Sequence, residues 1–459
     1  MNNRKPLTCF KAYDVRGKLD EELNDEIAYR IGRATAQFLN ADSVVVGFDS
    51  RATSADLARS LSRGICHTGA DVLDIGLAGT EEMYAAVSEL GTCAGIEVTA
   101  SHNPIDYNGM KIVKQCSQPL QNHEFFKIKQ LAEQNNFILS KHSGSVIDRK
   151  RVARNMYIEK VIGFVDLQSL QPLKILINSG NGAAGPTIDA LKQRLEEKSI
   201  KTNFVYLHHD PDPLFPNGIP NPMLEENRSA TANAVISEGA DFGVAFDGDF
   251  DRCFLFDHSG NFIPGEYVLG LLSEVFLRKE KGATIVHDSR VIWNTKDVVS
   301  TCGGSAIASK TGHSFVKAAM RENRAIYGGE ISAHHYFRDF AYSDSGMVPW
   351  LMIWELISKS NSLLSELISD RKKLFPSSGE INFTVADPEN CLEMINSLFA
   401  SRAASIDRSD GLSMCFENWR FNLRKSNTEP FVRLNVETRG DEVLLKEVIK
   451  KFEKIMKNV

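Results

Sequence analysis

Three short stretches of this chain carry residue types suited to phosphoryl chemistry. In the first, Thr99-Ala100-Ser101-His102-Asn103-Pro104, a serine stands between small and polar neighbours. An acyl-transfer serine would sit in Gly-x-Ser-x-Gly on a strand-to-helix elbow instead. Pro104 lacks an amide and fixes its own φ. The run Ala94-Gly95-Ile96-Glu97-Val98 predicts a strand end before the loop, and Asn108-Gly109 predicts a turn after it. Ser101 is therefore expected on a tight exposed loop, open to phosphorylation. The plain alternative is a polar surface turn without chemistry.

The second stretch is Asp247-Gly248-Asp249-Phe250-Asp251-Arg252. Carboxylates at i, i+2 and i+4 project to one side of an extended segment, and Gly248 would relax a turn that lets them converge. Close carboxylates repel unless a hard cation offsets them, and all-oxygen ligation suits Mg²⁺. The downstream glycine and glutamate of an EF-hand are missing, and Arg252 neutralises part of the charge. A solvated acidic turn is the alternative. The third stretch, Arg424-Lys425-Ser426-Asn427-Thr428-Glu429-Pro430, lies between two strand-like runs. An arginine fork, the hydroxyls of Ser426 and Thr428, and turn amides could cradle a phosphate. The alternative is a connecting turn with a surface arginine. A weaker motif, Gly328-Gly329-Glu330-Ile331-Ser332, offers Glu330 and Ser332 to sugar hydroxyls; the adjacent His334 and His335 diverge in extended chain and do not favour zinc. Arg16, Lys111, Arg290 and His313 carry little meaning singly.

The elements that must position these groups alternate between strand and helix. Helical spacing covers 25–39, a strand covers 43–48, and Ser54 reads as the N-cap of a helix from Ala55 to Thr68. A second unit opens with a strand at 173–177, the turn Ser179-Gly180-Asn181-Gly182 and a helix from Pro186, and closes with a strand at 244–246. A third starts near Tyr267, with strands at 283–287 and 325–327 and a helix after Asn294. The last stretch has a strand at 381–385, a helix near 391–399, and a helix from Asp441 to Met456. The fold class is α/β: three mixed-sheet α/β domains of similar topology plus a smaller C-terminal α+β domain.

The 459 residues allow three or four domains, and 42% hydrophobic with 24% charged residues is ordinary for a soluble globular protein. The net charge of −6 argues against nucleic-acid binding. Eight cysteines without a C-x-x-C pair predict reduced, buried thiols, neither zinc nor disulfides. The start, Met1 to Pro6, has no apolar core behind its charges, and no run reaches the ~18 residues of a membrane span. A cytoplasmic location is expected.

Taken together, Ala12-Tyr13-Asp14-Val15-Arg16-Gly17, the Ser101 loop, Asp247–Arg252, Thr311-Gly312-His313-Ser314, Gly329–Ser332 and Arg424–Pro430 run in the order seen in one family. The chain resembles the α-D-phosphohexomutase superfamily, and within it the bacterial phosphomannomutases of GDP-mannose supply. The resemblance implies four domains around one central cleft: 1–153 with the phosphoserine loop, 154–256 with the Mg²⁺ loop, 257–368 with the sugar-recognition loop and 369–459 with the phosphate-binding loop. It implies that Ser101 is the phosphoserine and that Asp247, Asp249 and Asp251, with Ser101, hold Mg²⁺. Arg252, Arg290, His313, Glu330, Ser332, Arg424, Ser426, Asn427 and Thr428 would bind substrate.

On that reading phospho-Ser101 donates to a hexose phosphate, the 1,6-bisphosphate turns end for end, and the other phosphate returns to Ser101. A hexose 1,6-bisphosphate would act as activator. Lys111 and Arg16 are expected near the acceptor hydroxyl as candidate bases, with His102 supporting the loop. Two departures stand out: Asn178–Ala183 lacks the Asp of related glycine-rich turns, and Gly79-Thr80-Glu81-Glu82 replaces a Pro-Thr-Pro type, as in enterobacterial phosphomannomutases. Readings kept open are a dual-specificity phosphoglucomutase/phosphomannomutase, a Mg²⁺-dependent sugar phosphatase and a sugar-phosphate binding module. No nucleic-acid or membrane partner is expected, and the enzyme would be a monomer or homodimer.

Overall fold

The computed structural model describes residues 6–138, 140–425 and 431–457. It divides into two compact units, one of residues up to Phe262 with Phe337–Asn361, the other of Ile263–Tyr336 with residues from Ser362 on. Helix Asp25–Leu39 of the first unit begins where Asn24 accepts the Ile27 amide, carries Asp25 and Glu26 in its first turn, and stops at Asn40 in the left-handed region. Each of these placements favours its helix end. The neighbouring helix starts at Ser54 itself, one residue before the sequence expectation, and runs to Cys66. Ser54 is no cap, because its hydroxyl donates to Asp49 instead.

The first unit holds two sheets. The larger runs in the order Val15–Lys18, Tyr107–Lys114, Ala94–Val98, Ser43–Phe48, Asp71–Leu77, Val146–Asp148. The strands 43–48, 71–77 and 94–98 are parallel, and 107–114 is antiparallel to both of its neighbours. Asn108 and Gly109, expected in a turn, lie inside that last strand. The Asn108 amide is used to hold Thr53 and Ser54, and Gly109 lets the Val15 carbonyl approach to where a Cβ would be 2.1 Å away. The second sheet places Phe242–Phe246 between Lys174–Asn178, parallel, and Cys253–Asp257, antiparallel. Helix Met347–Ser360 packs with this unit; the Glu81 carboxylate accepts the Gly346 and Met347 amides at its start.

In the second unit Thr284–Asp288 lies parallel to both Ser305–Ser309 and Tyr327–Gly329. The C-terminal sheet is five-stranded and antiparallel, in the order Ser377–Thr384, Phe431–Thr438, Trp419–Lys425, Leu412–Cys415, Ser405–Asp407. Helices Pro388–Phe399 and Glu442–Met456 cover it, capped by Asp387 and Asp441. The α/β expectation is met. Among the described residues no helix is long and apolar enough to cross a membrane. All eight cysteines are free thiols, and Cys116 is exposed, contrary to the expectation of burial.

Phe399 centres the C-terminal core, with the Phe452, Phe421 and Trp419 rings 5.5, 5.8 and 5.9 Å away. Replacing it by alanine is expected to cost about 3–5 kcal/mol. A lowered urea midpoint for Phe399→Ala, followed by far-UV circular dichroism, checks this.

Candidate functional site

Ser101 stands in the loop that follows strand Ala94–Val98, an inner strand of the first sheet. Its φ of +49° is unusual for a residue with a side chain and marks a held conformation. Thr99 Oγ1 holds it, accepting the Ser101 amide at 2.8 Å while donating to Asp49 at 2.6 Å. The loop from His102 to Asp106 is largely exposed, but Ser101 is buried, 5% exposed, a correction to the expected open position. Its Oγ donates to Asp247 Oδ2 at 2.7 Å. Gly248 allows the approach, since a Cβ there would sit 2.6 Å from the Ser101 carbonyl oxygen. Arg252 donates to both Asp247 and His102 Nδ1, so that nitrogen is an acceptor and the neutral ring carries its proton on Nε2. His102 Nδ1 is 3.0 Å from Ser101 Oγ.

The three aspartates converge by a turn rather than by extended alternation, with the Phe250 amide donating to the Asp247 carbonyl. Gly248 keeps negative φ; Phe250 takes the left-handed conformation at φ +45°. Ligand oxygens of Asp247, Asp249 and Asp251 lie within 4.8 Å of one another, and all three side chains are buried. Arg252 bridges to Asp247 at 2.7 Å, and Lys111 Nζ binds Asp249 Oδ2 at 2.7 Å and also Asp251 Oδ2. Two cations thus face three carboxylates. Burial pushes Asp247 and Asp251 above the usual carboxylate range, Asp251 further through Asp249. Burial acts on Asp249 too, but Lys111 outweighs it and holds that group below the range.

Asp249 Oδ1 is buried without a hydrogen bond among the described residues. That orphaned oxygen within an all-carboxylate set fits a hard divalent cation. Lys111 is opposed by burial yet raised by Asp249 and Asp251, which keep it an ammonium. As an ammonium it offers no lone pair in this state. Arg16 spends its fork on the Thr99 carbonyl at 2.8 Å, the Val15 carbonyl at 3.0 Å and Asp14 at 3.4 Å.

A second charged group lies within the other unit. Glu380 is shared by Arg290 at 3.4 Å, Arg424 at 3.4 Å and Arg433 at 3.2 Å. Arg290 is also held by Asp288 at 2.6 Å and reaches Ser332 Oγ at 3.3 Å. Arg424 is pushed below the usual guanidinium range by burial and then by Arg290. Its Nε has no hydrogen bond among the described residues. Crowded guanidiniums with spare donors suit an anion such as phosphate. Glu330 accepts the Gly312 amide at 2.8 Å and the Tyr336 hydroxyl at 2.6 Å. His313 is half-buried and opens helix His313–Asn323. Ser426, Asn427 and Thr428, the expected cradle beside Arg424, lie outside the described residues.

Four family models match in order: Phosphoglucomutase/phosphomannomutase, alpha/beta/alpha domain I at 8–138, domain II at 155–260, domain III at 264–375 and the C-terminal domain at 380–455. The chain is 53% identical over 442 residues to a phosphomannomutase of Escherichia coli (strain K12), covering 96% of this chain and 97% of that one. A phosphomannomutase of Vibrio cholerae is 51% identical over 462 residues, with 99% of both chains covered. A solved phosphoglucomutase/phosphomannomutase family protein from Burkholderia thailandensis superposes with a TM-score of 0.86 at 30% identity, covering 98% of this chain and 97% of that one.

Arg51, Thr80 and Glu380 stand outside the sequence motifs assigned to chemistry. Thr80 donates its hydroxyl to Asp249 Oδ2 at 2.5 Å from the Gly79–Glu82 segment already noted as a departure. Glu380 has no local signal; its meaning comes from three arginines on other strands and loops. Arg51 is buried and donates to four loop carbonyls, those of Ser101, Asn103, Pro104 and Tyr107. A guanidinium fork alone can serve so many acceptors at once. Arg51→Lys keeps the charge and loses most of these bonds. Amide hydrogen exchange across 101–107 is expected to quicken at least about fivefold, for a local loss of about 1–3 kcal/mol.

Proposed function

Since the chain belongs to the phosphoglucomutase/phosphomannomutase family, and is therefore a mutase, we propose that it interconverts mannose 6-phosphate and mannose 1-phosphate. The reaction would run through phospho-Ser101 and a 1,6-bisphosphate sugar, with hexose 1,6-bisphosphate as activator. The observation that carries this reading is the Ser101 hydroxyl, fixed at positive φ and hydrogen-bonded into a cluster of three buried carboxylates. The choice of mannose rests on relatives named phosphomannomutase at 51–53% identity.

Asp247 orients Ser101 Oγ, and Arg252 ties Asp247 to His102. Asp247, Asp249 and Asp251 would hold Mg²⁺, which when bound neutralises charge on the transferring phosphoryl group. Transfer from phospho-Ser101 to sugar also moves a proton: the sugar hydroxyl loses one and Ser101 Oγ gains one. Lys111, kept protonated by its two carboxylates, suits the donating side. Arg16 is left near the acceptor hydroxyl, and His102, whose Nδ1 is engaged by Arg252, supports the loop. In the second unit Arg290 and Arg424 would bind the phosphate that is not reacting, together with Ser426, Asn427 and Thr428. Glu330 and Ser332 would take sugar hydroxyls, with His313 beside them as a substrate contact. The product would supply GDP-mannose for surface polysaccharide in the cytoplasm.

Coupled assays on mannose 1-phosphate, glucose 1-phosphate and glucosamine 1-phosphate, with a 1,6-bisphosphate activator, test the substrate. Mannose phosphate is expected to be turned over fastest; equal rates with glucose phosphate replace the reading with a dual-specificity enzyme, and release of inorganic phosphate replaces it with a phosphatase. Ser101→Ala is expected to abolish the phosphoenzyme seen by intact-mass spectrometry and to lower kcat by at least about 10³-fold. Normal turnover in that variant would sink the mechanism.

A further inference from the structure

The strand that leads into the Ser101 loop carries a carboxyl to which the proposed reaction gives no task. Glu97, in strand Ala94–Val98, is 0% exposed, and neither of its side-chain oxygens has a hydrogen-bond partner among the described residues. In the pairing register Glu97 lies between Gly47 on one neighbouring strand and Lys111 on the other. Residues paired across strands share a face, so the three form one row. Gly47 makes the room, because a Cβ there would fall 2.3 Å from Glu97 Oε2.

A buried carboxyl with no partner persists as the neutral acid. Burial, then Asp49, Asp249 and Glu82, push Glu97 well above the ordinary carboxylate range; Lys111 acts the other way. Lys111, however, is already committed to Asp249 and Asp251. A cation bound to those two carboxylates cancels the charge that holds the ammonium, even through the oxygens that Lys111 leaves free, and a buried ammonium without a counter-charge is strongly disfavoured. The cation also cancels the Asp249 charge that helps keep Glu97 protonated.

We propose that Glu97 is the reserve counter-ion of Lys111: when a divalent cation occupies Asp247, Asp249 and Asp251, the ammonium pairs with Glu97. This rests on the reading that those aspartates bind such a cation. In the exchange Lys111 keeps its three protons, and the Glu97 carboxyl loses one to solvent. One proton leaves for each divalent ion that enters. Glu97 is a positioning residue: it keeps Lys111 charged and in place beside the loaded site.

Titration calorimetry of Mg²⁺ into the dephosphorylated full-length protein, in buffers of different ionisation enthalpy, reads both affinity and proton count. Wild-type protein is expected to release about one proton per ion from this exchange. Glu97→Gln is expected to release one proton fewer per ion than wild type and to bind Mg²⁺ roughly ten- to a hundredfold more weakly, the worth of one charged hydrogen bond. Lys111→Met reads the exchange from the other side: without the ammonium, adding Glu97→Gln should leave the proton count unchanged. In that background Glu97→Gln should change Mg²⁺ affinity less than twofold. Unchanged affinity and proton release in Glu97→Gln overturn the exchange alone, as does an equal penalty with and without Lys111. Wild-type protein that binds no Mg²⁺ overturns the cation reading and the exchange with it.

Discussion

Three carboxylates buried within 4.8 Å of each other set the constraint on which the first unit depends. Such a cluster repels itself and loses hydration, so every neighbouring element must bring compensation. Strand Tyr107–Lys114 brings Lys111, the segment after Gly79 brings Thr80, and the chain after the acidic turn brings Arg252. Ser101 then enters as one more donor. The same interactions that make the cluster tolerable deliver a serine hydroxyl to it in a single orientation.

The loop around Ser101 depends on a second layer of buried polar groups. Asp49 joins Ser54 and Thr99, Thr99 fixes the Ser101 amide, and Arg51 gathers the loop carbonyls. None of these side chains touches Asp247, yet together they decide where the hydroxyl points. In the second unit the arrangement is built on guanidiniums: Arg290, Arg424 and Arg433 share Glu380, and Arg290 is also paired with Asp288.

Much of this was legible in contiguous residues. The serine loop, the aspartate triplet and Arg424 announce themselves by composition, and the strand and helix alternation follows from apolar periodicity. The errors have local causes. Asn108-Gly109 has turn chemistry, but its side-chain amide and its missing Cβ serve contacts across the sheet. Ser54 has capping chemistry, but Asp49 competes for its hydroxyl. Lys111 is a candidate base by type, and nothing near it in the chain announces that Asp249 and Asp251 hold it.

By itself the sequence determined which groups exist and which lie next to one another: a serine in a small polar loop, three alternating aspartates, an arginine before a turn. Tertiary structure alone decided their partners and protonation, because those depend on residues far apart along the chain. Thr80 meets Asp249 across 169 positions, Lys111 meets Asp251 across 140, and Arg290 meets Glu380 across 90. Glu97 shows the same division most plainly. Its sequence context is that of an ordinary strand residue, and only the register beside Gly47 and Lys111 makes it a buried acid facing an ammonium. Burial strengthens electrostatic interactions and strips away solvent, so the fold that sets the distances also sets the chemistry.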